Sequence, residues 1–303
     1  MSRGATGRWI GGAFTSAFTS AFLGAFLGTL VLAQPAWSEE GAPATHVASA
    51  APPVDSELQE TFGRALVDRT LGIGPSASVS QARQILLRRA SLFEAVIEYP
   101  MAEADLTAAL EMQPPAASLY GDRGYFYMRR GRYGDALADF VTGMRLDSGN
   151  PLFHFAAGRA AAALGDYAGA ITYYDEAIGL AGRNPTYYLA RAEAQIHLDQ
   201  PRDAVADYDR ALDIKLPRPS DRYFAYAGRG YAQMMLADYG SAIADFNRAL
   251  EIDPRAVSAL VWRGYARERG GQTELALDDY ERASTVDPTD RRARESVRRL
   301  RAN

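Results

Sequence analysis

The sequence predicts an all-α chain, an α-solenoid of helix–turn–helix units with a capping helix at each end. Three observations predict it. The chain repeats itself with a 34-residue period over 83–290, three places in every unit are always small while a fourth is always large, and a Gly or polar residue recurs midway between two helical patterns. A unit of that size cannot bury its apolar face alone. Stacked on its copies, it forms a continuous core.

Residues 1–38 come first. Arg3 and Arg8 precede the uncharged stretch WIGGAFTSAFTSAFLGAFLGTLVLAQPAW, and no acidic residue occurs before Glu39. A basic start, an apolar middle and small residues near the end describe an export signal, with Ala36 and Ser38 three residues and one residue ahead of a cleavage point before Glu39. Residues 9–37 are also long enough to span a bilayer, so the segment reads as a removed signal peptide or a membrane anchor. Both readings put the body in the bacterial periplasm, free or anchored to the inner membrane. Residues 39–54 are rich in Ala and Pro, with too little apolar surface to fold, and read as a flexible linker. Residues 55–82 are expected to hold an N-terminal capping helix and its connection. Ser56 and Gln59 form a capping box, and Leu58, Phe62 and Leu66 recur every four residues.

Six units follow: 83–116, which is degenerate, then 117–150, 151–184, 185–218, 223–256 and 257–290, with only Pro219 to Arg222 breaking the register. The eighth place is always Gly or Ala, the twentieth is always Ala (Ala102, Ala136, Ala170, Ala204, Ala242, Ala276), and the twenty-seventh is again Gly or Ala. The twenty-fourth is Leu106, Phe140, Tyr174, Tyr208, Phe246 and Tyr280. Places 20, 24 and 27 share one helical face, so small residues let two backbones approach while the ring fills the space beside them. Gly131, Gly165 and Asp199 mark the turn between the two helices of a unit. After Asp290, residues 291–303 place Ala293, Val297 and Leu300 on one face and six arginines around them, as expected of a C-terminal capping helix.

Two columns vary together. Place 7 is Arg89, Arg123, Arg191, Arg229 and Arg263, and place 23 is Asp105, Asp139, Asp207, Asp245 and Asp279. Unit 151–184 departs in both, with Ala157 and Tyr173. An ion pair between the two helices of one unit accounts for this, because pairing to the next unit would leave two mismatches.

Composition narrows the function by exclusion. A formal net charge of -4 gives no argument for nucleic acid, and zero cysteines exclude disulfides and thiolate metal sites. The three histidines, His46, His154 and His197, stand apart, and no phosphate loop, dinucleotide fingerprint or nucleophile elbow occurs. His154 is expected in the packing. No catalytic, cofactor or metal residues are assigned, and no enzyme activity is expected.

The small eighth residue, the aromatic at place 17 (Tyr99, Tyr133, Tyr167, Tyr239), Ala at 20, the large residue at 24 and Pro114, Pro254 and Pro288 at 32 resemble the tetratricopeptide repeat family. Pro201 and Thr273 depart at place 17. The resemblance implies a right-handed superhelix whose first helices line a concave groove with places 2, 5, 6, 9, 12 and 13. No Lys–Asn combination occupies the fifth and ninth places, so a chaperone-tail carboxylate clamp is not expected. The groove residues expected to bind a partner are Tyr125, Met128, Arg129, Phe155, Arg159, Glu193, His197, Phe224, Tyr231, Met234, Met235, Trp262, Tyr265 and Arg269. Aromatics, arginine and methionine suit an extended or helical protein segment with apolar anchors, docking over Phe224, Tyr231 and Tyr265. The function expected is a non-catalytic interaction scaffold of the cell envelope. A regulatory or substrate-presenting subunit of an envelope cell-wall or polysaccharide enzyme is the alternative.

Overall fold

The computed structural model describes residues 79–112 and 114–302. The export segment, the linker and all but the end of the expected N-terminal cap lie outside the described residues. Among the described residues there is no strand, and no helix is long and apolar enough to cross a membrane.

The described chain divides into two bodies, 79–164 and 165–302. The first holds α1 (Val79–Ala95), α2 (Tyr99–Glu111), α3 (Ala117–Arg129), α4 (Tyr133–Leu146) and α5 (Pro151–Ala163). The second holds α6 (Tyr167–Leu180), α7 (Pro185–His197), α8 (Pro201–Ile214), α9 (Pro219–Met235) and α10 (Tyr239–Ile252), then α11 (Val257–Arg269), α12 (Thr273–Val286) and α13 (Arg291–Arg301). In each body every helix packs on the next, which is the connectivity of stacked helical hairpins.

The small-and-large pattern does what the spacing predicts. A Cβ on Gly124 would come within 2.5 Å of the Phe140 ring, and one on Gly264 within 2.9 Å of Tyr280. Each pair joins place 8 to place 24 of one hairpin. Gly143 does the same between units, because a Cβ there would collide with the ring of Phe153 on α5. The alanines at place 20 are fully buried in all six units. His154 departs from expectation: it is only half-buried, its Nε2 3.3 Å from the Ser148 carbonyl, while its neighbour Phe153 takes the core place.

The turn at place 15 is left-handed in every unit, whatever the residue. The φ values are 70° at Ile97, 71° at Gly131, 84° at Gly165, 58° at Asp199, 58° at Ala237 and 80° at Gly271. In five units the amide at place 16 donates to the carbonyl at place 11, for example Arg132 to Tyr127 at 3.0 Å and Asp238 to Gln233 at 2.9 Å. That closure satisfies carbonyls at the helix end and requires a left-handed residue beside it.

The four residues that break the register are absorbed as an extra first turn of α9, which starts at Pro219. Arg222 steadies the approach by donating to the carbonyls of Leu216 (3.1 Å) and Pro217 (3.3 Å). α1 likewise opens at Val79, ahead of the unit boundary at 83. At the other end α13 buries Ala293 against the last hairpin. Four of its arginines are engaged: Arg291 with Glu295, Arg292 with Asp290, Arg299 with Glu268 and Arg301 with Glu281.

The Arg–Asp pairs form within single hairpins. Nε and Nη2 of each arginine donate to the two carboxylate oxygens of the aspartate 16 residues on, at 2.7 and 2.6 Å for Arg89–Asp105 and 2.7 and 2.7 Å for Arg229–Asp245. The remaining three pairs, Arg123–Asp139, Arg191–Asp207 and Arg263–Asp279, have the same fork. This bidentate geometry is the strongest that the two groups can make. The third nitrogen has a use that spacing did not reveal. Nη1 donates back to place 25 of the preceding unit: Arg123 to Thr107, Arg191 to Asp175, Arg229 to Asp209 and Arg263 to Asn247. Each of these four arginines therefore ties its hairpin together and fastens it to the one before. Where Ala157 replaces the arginine, place 25 of the preceding unit is Val141, which needs no donor. The division between the bodies falls in that same unit.

Candidate protein-binding groove

The first helices of successive hairpins carry the expected groove places: α1, α3 and α5 in the first body, α7, α9 and α11 in the second. Along the second body α7 touches α9, and α9 touches α11. Most of the large side chains that the sequence assigned to these places are buried.

That packing corrects much of the expected site. Of the 14 residues assigned, Tyr125, Met128, Phe155, Arg159, Phe224, Tyr231, Met234 and Trp262 are buried, none more than 9% exposed. Tyr125 lies edge-on to Phe140 at 5.1 Å, and the Arg159 guanidinium lies 5.9 Å from the Phe155 ring. Tyr231 meets Trp262 edge-on at 5.2 Å, and Trp262 meets Tyr265 at 6.1 Å. Phe224 and Tyr231, expected as docking anchors, are core residues.

Six assigned residues keep accessible surface. Arg129, Glu193, His197, Met235 and Tyr265 are half-buried, and Arg269 is exposed. In the first body Arg129 is held by a bidentate pair with Glu94, at 2.6 and 2.7 Å, so its charge is already answered. The same helix carries Asp122, which the sequence reading passed over. Burial pushes its carboxyl up to about 6, opposed by the nearby Arg129 charge. Burial also pushes Tyr127 up to about 12, helped by the hydroxyl it donates to Glu103 at 2.9 Å.

In the second body His197 stacks flat on Tyr167, with ring centres 4.0 Å apart, and burial pushes its imidazole below the usual range. At neutral pH it is an uncharged, aromatic part of the wall. Arg269 is different. Its guanidinium lies 5.9 Å from the Tyr239 ring and 6.0 Å from the Tyr265 ring, and no carboxylate forms an ion pair with it among the described residues. Its neighbour Glu268 is taken by Arg299 and by the Tyr280 hydroxyl at 3.2 Å, which hold its carboxyl below the usual range. A cation held on two rings with an open side can accept an anionic group from outside. Among the described residues no three His, Asp or Glu side chains gather as a metal site.

A sequence profile described as tetratricopeptide repeat matches residues 87–151, 155–219 and 228–290. No curated protein matches the chain in sequence. Among solved structures, a C-terminal part of a TPR repeat-containing protein from Cytophaga hutchinsonii is similar at 16% identity. It covers 80% of this chain and 98% of that one with a TM-score of 0.60. YrrB, described as a TPR protein with an unusual peptide-binding site, is 20% identical over 64% of this chain and 97% of its own, with a TM-score of 0.56. MamA from Desulfovibrio magneticus is 19% identical over 58% of this chain and 97% of its own, with a TM-score of 0.53. At these identities the likeness is one of fold.

Proposed function

The chain belongs to the tetratricopeptide repeat family, and from that premise we propose that it is a non-catalytic scaffold that captures a protein segment along its first helices. The observation that carries this reading is Arg269, exposed on the Tyr239 and Tyr265 rings and in no ion pair among the described residues. Met235, one unit earlier on α9, is half-buried and adds adaptable apolar surface to the first helices. The segment that fits is extended or helical. It sets a carboxylate on Arg269 and an apolar side chain on Tyr265 and Met235. The peptide-binding site named for YrrB supports a segment as the kind of ligand. Arg3, Arg8 and the apolar stretch after them support a periplasmic setting, reached by a cleaved signal or from a membrane anchor.

Replacing Tyr265 and Arg269 together by alanine should weaken capture of partners from periplasmic extract by at least about tenfold, or ~1.4 kcal/mol. Both side chains keep solvent contact, so the double variant should remain folded. A folded double variant that recovers partners as well as the parent would place the binding face elsewhere.

A further inference from the structure

Place 13 is the last residue of each first helix in the second body: His197 on α7, Met235 on α9 and Arg269 on α11. Two of the three make the same contact, each against the tyrosine at place 17 of the unit before. His197 lies on the Tyr167 ring with centres 4.0 Å apart, and the Arg269 guanidinium lies 5.9 Å from the Tyr239 ring. A contact repeated two units apart means that the hairpins hold one register across this body. Place 13 therefore comes round once per unit, on first helices that touch their neighbours. None of the three side chains is fully buried. Packed helices lie ~8–10 Å apart axis to axis, so successive place-13 side chains offer docking points at about that interval.

We infer that the second body takes an extended protein segment of polyproline II form, read at every third residue: apolar, apolar, then acidic. This deepens the groove reading above and rests on it. The chemistry of the three points sets the order. The stacked His197 and Tyr167 rings offer a flat aromatic surface, and Met235 offers an adaptable thioether. Only Arg269, on the Tyr239 and Tyr265 rings, calls for an anionic group. The interval sets the conformation. A polyproline II chain turns once in three residues and advances ~9.3 Å, so every third side chain points the same way at the spacing of the helices. A β-strand puts same-face residues ~7 or ~13 Å apart and misses it. A helix returns to one face after seven residues, at ~10.5 Å, just beyond the interval. The polyproline form is also well populated before binding, so ordering it costs little.

Dye-labelled synthetic peptides, titrated into the full-length chain by fluorescence anisotropy, test this. Two carry leucine, leucine and glutamate at every third position with prolines between, one in each chain direction. A third has the same composition with those three residues adjacent. A fourth is an alanine-rich helix carrying them seven residues apart. One of the first two should bind at least about tenfold tighter than the third and the fourth, and Arg269→Ala should weaken that peptide by about fivefold or more. Equal binding of the first three would overturn the three-residue reading. Tighter binding of the helical peptide would overturn it in favour of a helix. If no peptide binds but Tyr265→Ala with Arg269→Ala still weakens capture from periplasmic extract, the spacing is refuted and the groove reading stands. If capture is also unchanged, both fall.

Discussion

Replacing Asp279 by Asn tests the reading of the arginine forks most severely. Asp279 is fully buried and accepts from Arg263 at 2.9 and 2.5 Å and from Arg267 at 2.8 Å, so one carboxylate answers two guanidinium groups. The neutral amide leaves both cations without their counter-charge, and the Arg263 side chain is only 10% exposed. Stranding a buried partner in this way costs ~3–5 kcal/mol. Asp105→Asn is the comparison. Its partner Arg89 has a side chain 26% exposed, so water compensates in part and the expected cost is ~1–2 kcal/mol. In urea, with a slope of ~2–3 kcal/mol per molar, the first change should move the midpoint by at least ~1 M and the second by well under that. Circular dichroism gives the midpoints. Amide exchange in α11 and α12 checks that the loss is local, because repeat arrays can unfold in parts. Equal shifts for the two variants, or a smaller one for Asp279→Asn, would refute the argument that burial sets the strength of these pairs.

Three further outcomes follow from particular residues. Gly143→Ala should lower stability by ~1–3 kcal/mol in thermal melts because its methyl meets the buried Phe153 ring, whereas Gly134→Ala, with nothing within 4 Å of the added carbon, should raise it by ~0.5–1 kcal/mol. Ala237→Gly should stabilise by up to ~1 kcal/mol, since Ala237 holds a φ of 58° that glycine adopts without strain, and Gly131→Ala, at 71°, should do the reverse. Asp122 has a folded pKa of about 6, above its ordinary value of 3.8, so the folded state favours the protonated form. Its stabilising contribution is complete below pH 3.8 and is lost as the pH rises through 6. Asp122→Asn should therefore raise the melting temperature at pH 7.5 and change it little at pH 4, and equal effects at the two pH values would contradict the assignment.

The sequence by itself determined the hairpin, its length and its internal contacts. Gly124 against Phe140 and Arg263 against Asp279 recur at a fixed offset of 16 residues within a unit, so the period exposes them directly. The left-handed turn was legible where glycine marks it, and hidden at Ile97 and Ala237, where closure of the helix end imposes the same φ on a residue that disfavours it. The third nitrogen of each fork left a trace as well, in the polar place 25 that turns to Val141 where the arginine is missing. Which aromatic rings face a partner was decided only by the tertiary structure. Tyr231 and Tyr265 occupy the same place in their units, yet Tyr231 is 5% exposed against Trp262 and Tyr265 is half-buried beneath Arg269. Within a hairpin the backbone fixes neighbours at constant separation. Across the seam between first helices, exposure depends on the bulk of whatever side chain the next unit presents, so identical places in the repeat come to have different surroundings.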